Sequence, residues 1–215
     1  MTETKQTQQP KALQVVASIL SYILHPVFMP LVMTLVLYEL SPVSFAGVTV
    51  SQLKMWLLSI GITTLFFPLF TLLLMKGLGF AKNFHMETTR ERIIPLIATM
   101  IFYFWASHVF NSIPSPLIIK VLLLGSFWGI IVLFMINIFV KISLHTAAAG
   151  GMIGVLLVLM MISPVNIILP FFLALFIAGI MGTIRLILRA HTPAEIWLGY
   201  IVGILVQLGA YLYLR

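Results

Sequence analysis

Long, uninterrupted apolar runs constrain this chain more than any other feature of it. Several reach 18 residues or more, the length at which a helix crosses the hydrocarbon of a bilayer. They are continuous, whereas the strands of a membrane barrel alternate apolar and polar, so a barrel is excluded. The chain is expected to be all-α, a polytopic transmembrane helical bundle of six or seven spans. Composition agrees, since 61% of the 215 residues are hydrophobic and 8% are charged, far from the balance of a soluble domain.

The runs fall at residues 12–40, 53–76, 93–113, 116–140, a fifth that residues 141–151 lead into and that ends near Ile162, 165–184, and from Pro193 onward. Pro26 and Pro30 break the first, which reads either as one kinked, tilted span or as a surface helix followed by a short re-entrant piece. His25, just before Pro26, reads as a hydrogen-bonded structural histidine. Pro68 lies inside the second run, where a neighbouring helix must satisfy the carbonyl it leaves free. No linker or soluble module interrupts the series, so residues 1–215 form one integral membrane domain behind a polar tail of residues 1–11. That tail leads into a long run without a small-residue cleavage site, so no removable signal peptide is expected.

Charge is scarce and unbalanced. Twelve basic against five acidic residues give a net charge of +7. Loops this short offer no surface for nucleic acid, so the positive charge serves topology or anionic lipid. The absence of cysteine excludes disulfides and thiolate chemistry, and no metal-ligand spacing stands out, so neither metal nor cofactor is expected.

Three polar clusters remain: residues 77–92 with Lys82, His85, Arg90 and Arg92, residues 141–151 with Ser143 and His145, and residues 185–195 with Arg185, Arg189, His191 and Glu195. Two runs separate each cluster from the next, which puts all three on one membrane face. Ionisable groups there are costly and mark function by default. A neutral imidazole of His191 can attack phosphorus while Glu195 fixes its tautomer. Thr192-Pro193-Ala194-Glu195 is equally a capping box for the last helix, and both roles can hold. Arg185 and Arg189, four apart, suit phosphate through their planar forks, or serve as positive charge at a helix end. Ser143 is a phosphate donor or an ordinary N-cap, and His145 a general acid or an interfacial side chain. The run from Ala147 to Gly151 reads as close helix packing. Thr88 to Glu91 forms another capping box, beside which Lys82, Arg90 and Arg92 are phosphate clamps or loop charge.

Taken in order, the clusters resemble the three signatures of the phosphatidic acid phosphatase type 2 superfamily, the lipid phosphatases and haloperoxidases, over about residues 82–199. The third, S-R-x5-H-x3-D, matches at Arg185 and His191, with Glu195 for Asp and Ile184 for Ser. The second, P-S-G-H, is reduced to Ser143 and His145. The first, K-x6-R-P, is matched loosely by Lys82 with Arg90 or Arg92. The resemblance implies a related helical core and a metal-independent lipid phosphatase. It makes His191 the nucleophile of a phosphohistidine intermediate, Glu195 its partner and His145 the general acid. Arg185, Ser143, Arg92, Arg90 and Lys82 would bind phosphate, and the substrate would be a lipid phosphate monoester or isoprenyl pyrophosphate. The alternatives are an inactive member that binds or moves anionic lipids, and a proton-coupled transporter. Short loops suggest a bacterial cytoplasmic membrane. The side the clusters face depends on whether residues 12–40 cross it.

Overall fold

In the computed structural model, residues 9–78 and 89–215 are described, with side chains in the second stretch from Ile93 onward. The described residues form helices and no strand. The first hydrophobic region holds α1 (Lys11–Ile23), a 3-10 turn (Pro26–Phe28) and α2 (Met29–Leu40). Then come α3 (Val50–Ile60), a π-helical segment (Gly61–Phe66), α4 (Phe67–Gly77) and α5 (Thr89–Ser112). The last four are α6 (Leu117–Phe139), α7 (Leu144–Ile162), α8 (Ile168–Ile187) and α9 (Pro193–Leu214). Counting α1–α2 and α3–α4 as single broken segments, seven are long and apolar enough to cross a membrane. This is an all-α polytopic bundle. Its outer surface carries large apolar side chains such as Phe172, Phe176, Trp105 and Trp197, and α7 is the most enclosed helix.

Two prolines shape the segments that flank the polar clusters. Pro26 restricts the residue before it to extended backbone. His25 accordingly sits at φ −67° and ψ 135°, ends the run of α1, and accepts the Val27 N–H on its ring Nδ1 at 3.3 Å. The 13 residues of α1 rise roughly 20 Å, short of the ~30 Å hydrocarbon core. Taken together, Lys11–Leu40 is long and apolar enough to cross, and its later part runs the length of α7. Just before the 3-10 turn Ser21 reaches residues at the ends of α7 and α8, and just after α2 Ser41 hydrogen-bonds Ser163 at 3.1 Å, beyond the far end of α7. Pro68 has no N–H to offer the Thr64 carbonyl four residues back. Locally the helix widens into the π segment, and the Tyr103 hydroxyl of α5 donates to that carbonyl at 3.4 Å. The orphaned acceptor thus finds its partner on a neighbouring helix, as a proline inside a span requires.

Helices α7 and α9 approach closely along two small-residue seams, Gly150 with Gly154 and Gly199 with Gly203. A methyl group on Gly203 would run into the Ala147 carbonyl oxygen and the Gly151 nitrogen, and one on Gly150 into the Tyr200 carbonyl. In hydrocarbon, where apolar burial gives no drive for association, such close approach supplies the packing. The run from Ala147 to Gly151 is therefore a packing surface. Gly199 meanwhile lies against Thr146 and the Ser143 carbonyl. The N-terminal ends of α7 and α9 are held side by side, and with them His145, His191 and Glu195. We expect Gly203→Val to force the two backbones apart and cost about 1–3 kcal/mol, read as a lower thermal unfolding midpoint in detergent. An unchanged midpoint would show that the seam does not set the spacing.

Candidate functional site

The start of α9 is built as its sequence suggests. Thr192 is the N-cap, its side-chain oxygen accepting from Glu195 N–H at 3.4 Å, and Glu195 returns the contact by accepting from Thr192 N–H at 3.3 Å. The same carboxylate oxygen, Oε2, lies 2.8 Å from His191 Nδ1. Both roles of Glu195 hold at once. With Nδ1–H donated to the carboxylate, the lone pair of the neutral ring is on Nε2.

Before it, α8 ends in a Schellman motif: Ala190 N–H reaches back to the Arg185 carbonyl and Arg189 N–H to the Leu186 carbonyl. Arg189 stands at the left-handed position, φ 49°, where glycine is usual. Holding a residue with a Cβ there costs roughly 1–2 kcal/mol. Strain of that kind collects at functional sites.

Arg185, one turn earlier, is only 8% exposed. Its guanidinium donates to the Ser21 hydroxyl of α1, and its Nε has no hydrogen-bond partner. Among the described residues the one ion pair joins His191 to Glu195; no carboxylate reaches Arg185. His145, in the first turn of α7, places Nε2 3.2 Å from the Ser21 carbonyl and 3.4 Å from its hydroxyl. A carbonyl can only accept, so Nε2 carries the proton. His25 packs edge-on against His145 with ring centroids 5.4 Å apart. Its Nδ1 accepts from Val27, so its proton is on Nε2 as well.

These side chains share one cavity of about 1160 Å³. Arg185, His25, His145, Ser21 and His191 form its polar end. Mostly apolar residues of α2, α4, α5 and α6, among them Met33, Leu69, Leu96 and Ile130, line the rest, with Thr99, Tyr103, Ser126 and Gln207 between them. A smaller pocket of about 400 Å³ adjoins it, lined by Lys141, Arg189, Ala190, His191, Thr192 and Glu195. The cluster offers donors from Arg185 and His25, and Glu195 is the one carboxylate among its described residues, an arrangement whose chemistry suits an anion. No group of three potential metal ligands lies among the described residues.

Of the expected site residues, His191, Glu195, His145 and Arg185 come together around these two connected spaces. Ser143 does not join them. It is fully buried and caps α7, accepting from Thr146 N–H at 3.4 Å, and it lines neither cavity. Lys82, His85, the side chains of Arg90 and Arg92, and the Thr88–Glu91 capping box lie outside the described residues. Two participants, Ser21 and His25, are not among the residues expected to form the site. Their signal is a polar stripe on an otherwise apolar helix, Ser18, Ser21 and His25 at spacings of three and four, one helical face turned into the cavity. Comparison with family models, curated proteins and solved structures finds no match to this chain.

A buried cation without a counter-charge destabilises a fold unless something else requires it. Replacing Arg185 with Met, of similar length, should leave the ligand-free protein as stable as before or more stable by about 1 kcal/mol. A thermal melt checks this. A fall of several degrees would mean that Arg185 holds the fold rather than a ligand.

Proposed function

We propose that this protein is a metal-independent membrane phosphatase acting on a lipid phosphate ester or diphosphate through a phosphohistidine on His191. The observation that carries the reading is Arg185: a buried guanidinium with no carboxylate partner among the described residues, facing a cavity that His191 also faces. An anion satisfies it, and phosphate matches its planar fork through paired hydrogen bonds. The apolar remainder of the cavity suits a lipid whose chain stays within the membrane. A bacterial cytoplasmic membrane is the proposed location.

The chemistry follows from the tautomers. His191 Nε2 attacks phosphorus in line with the leaving oxygen while Glu195, on Nδ1, supports the charge the ring acquires. The bond from phosphorus to the leaving oxygen breaks, and Arg185 and the His25 Nε2–H hold the phosphoryl oxygens as charge moves onto them. The bound phosphate also supplies the negative charge that an imidazolium needs beside Arg185. In that state His145 protonates an alkoxide leaving group. Water then attacks the phosphohistidine, passing a proton to His145 as the N–P bond breaks, and orthophosphate departs.

The binding of anionic lipid without turnover is the second reading. It is favoured by Ser143, which caps a helix instead of reaching the cavity. Phosphate release from phosphatidic acid, phosphatidylglycerophosphate and an isoprenyl pyrophosphate, measured in mixed micelles with EDTA, separates the two. Release from at least one of them is expected, with His191→Ala lowering it by about 10³-fold or more and Glu195→Gln by about 10²-fold or more. Well-folded protein that releases phosphate from none of the three would sink the enzyme reading and leave the binder.

A further inference from the structure

Ser21 ties α1 to the two groups that the proposed reaction needs free. Its hydroxyl accepts from the Arg185 guanidinium, and its carbonyl lies 3.2 Å from His145 Nε2, the nitrogen that carries the proton. The fork that would bind phosphoryl oxygens and the proton that would go to an alkoxide are thus both engaged by one residue of α1. We propose that α1 is a lid latched by Ser21, and that an entering phosphate opens it by drawing Arg185 off the latch. This rests on the phosphatase reading and adds the regulation of its site.

The packing of α1 suits a part that moves. It lies against α8, and Ala17 is its one buried residue. Val15, Val16, Ile19, Tyr22 and Ile23 form an exposed apolar face. A helix held this lightly can swing through lipid without exposing apolar surface to water, because lipid tails are as apolar as the side chains they touch. Its polar face, with Ser18 and Ser21, lines the cavity. The backbone leaves the helix at Leu24, φ −90° and ψ 30°, and is extended at His25. Pro26 cannot donate to the Tyr22 carbonyl four residues back, so helical hydrogen bonding does not carry α1 rigidly into α2. Changes at such element ends are how a hinge works. His25 itself stays in place through its ring contact with His145.

Differential binding supplies the drive. A ligand shifts an equilibrium only by as much as it binds one state better than the other. With α1 latched, Arg185 meets phosphate while already donating to Ser21. With α1 released, the whole fork is offered and pairs through two hydrogen bonds. Release also withdraws the Ser21 carbonyl from His145, which frees the Nε2 proton for the leaving alkoxide. The acid is therefore uncovered only once the anion is in place.

The test uses the full chain in mixed micelles, with orthovanadate as the probe. The sequence has no cysteine, so Ser18→Cys places a single thiol on the inner face of α1. Its rate of reaction with a water-soluble maleimide should rise about fivefold or more when vanadate is added. Ser21→Ala in the same background should give the fast rate without vanadate. In the otherwise native chain, Ser21→Ala should tighten vanadate binding by about threefold or more, because one competing hydrogen bond of Arg185 is gone. A residue that only positions Arg185 would weaken binding when removed, so the sign decides. Melts beside each assay check folding, and the maleimide rate with and without vanadate does not depend on how Ser21→Ala folds. Weaker vanadate binding by well-folded Ser21→Ala, or a maleimide rate that vanadate leaves unchanged, would overturn the lid while leaving the phosphatase. Wild-type protein that binds no vanadate would overturn both.

Discussion

A guanidinium taken out of water, with no carboxylate beside it among the described residues, is the constraint around which this bundle is arranged. In water the charge of Arg185 would be solvated; at 8% exposure most of that solvation is gone, and the Ser21 hydroxyl returns only part of it. Nothing in helix packing calls for such a group. Leu or Met at the same place would fill the space at less cost. Retaining arginine makes sense if the free energy withheld from the empty protein is recovered when an anion enters. The neighbouring donors agree with this. His25 and His145 both carry their protons on Nε2, each fixed by what its own ring contacts.

The geometry of the cluster is delegated to backbone features far apart in sequence. The glycine seams let α7 and α9 touch backbone to backbone, which brings His145 within the same cavity as His191. The Schellman motif ends α8 abruptly after Arg185, leaving a short link to the N-cap of α9. Within that link Arg189, Ala190 and His191 face both cavities. The Pro26 break lets α1 end where Ser21 can meet Arg185 and His145 together. Each device is local, yet together they converge on one face of the membrane.

Much of this was legible in the residues. The number of spans follows from run length, because hydrocarbon thickness leaves a helix little choice. Thr192-Pro193-Ala194-Glu195 announces a helix start whatever else it does, and the partner that Pro68 demands was foreseeable in kind, though Tyr103 was not foreseeable by name. Other assignments needed three dimensions. Ser143 could cap or bind phosphate on chemistry alone; its complete burial decides for capping. His25 does make the hydrogen bond expected of a structural histidine, but its other face belongs to the cavity, and no local pattern couples residue 25 to residue 145. Ser21 carries no signal by itself, because one serine in an apolar run is unremarkable. Only the stripe it shares with Ser18 and His25 marks an inward face.

The central claim is that Arg185 and His191 together receive a phosphoryl group, and its most direct measurement is a structure of the protein with orthovanadate. Vanadate adopts the five-coordinate geometry of phosphoryl transfer, so it should be bonded to His191 Nε2, with Arg185 donating to its equatorial oxygens and Glu195 still on Nδ1. Vanadate absent from the cavity at saturating concentration, or Arg185 found paired with an acidic side chain of the protein itself, would contradict it.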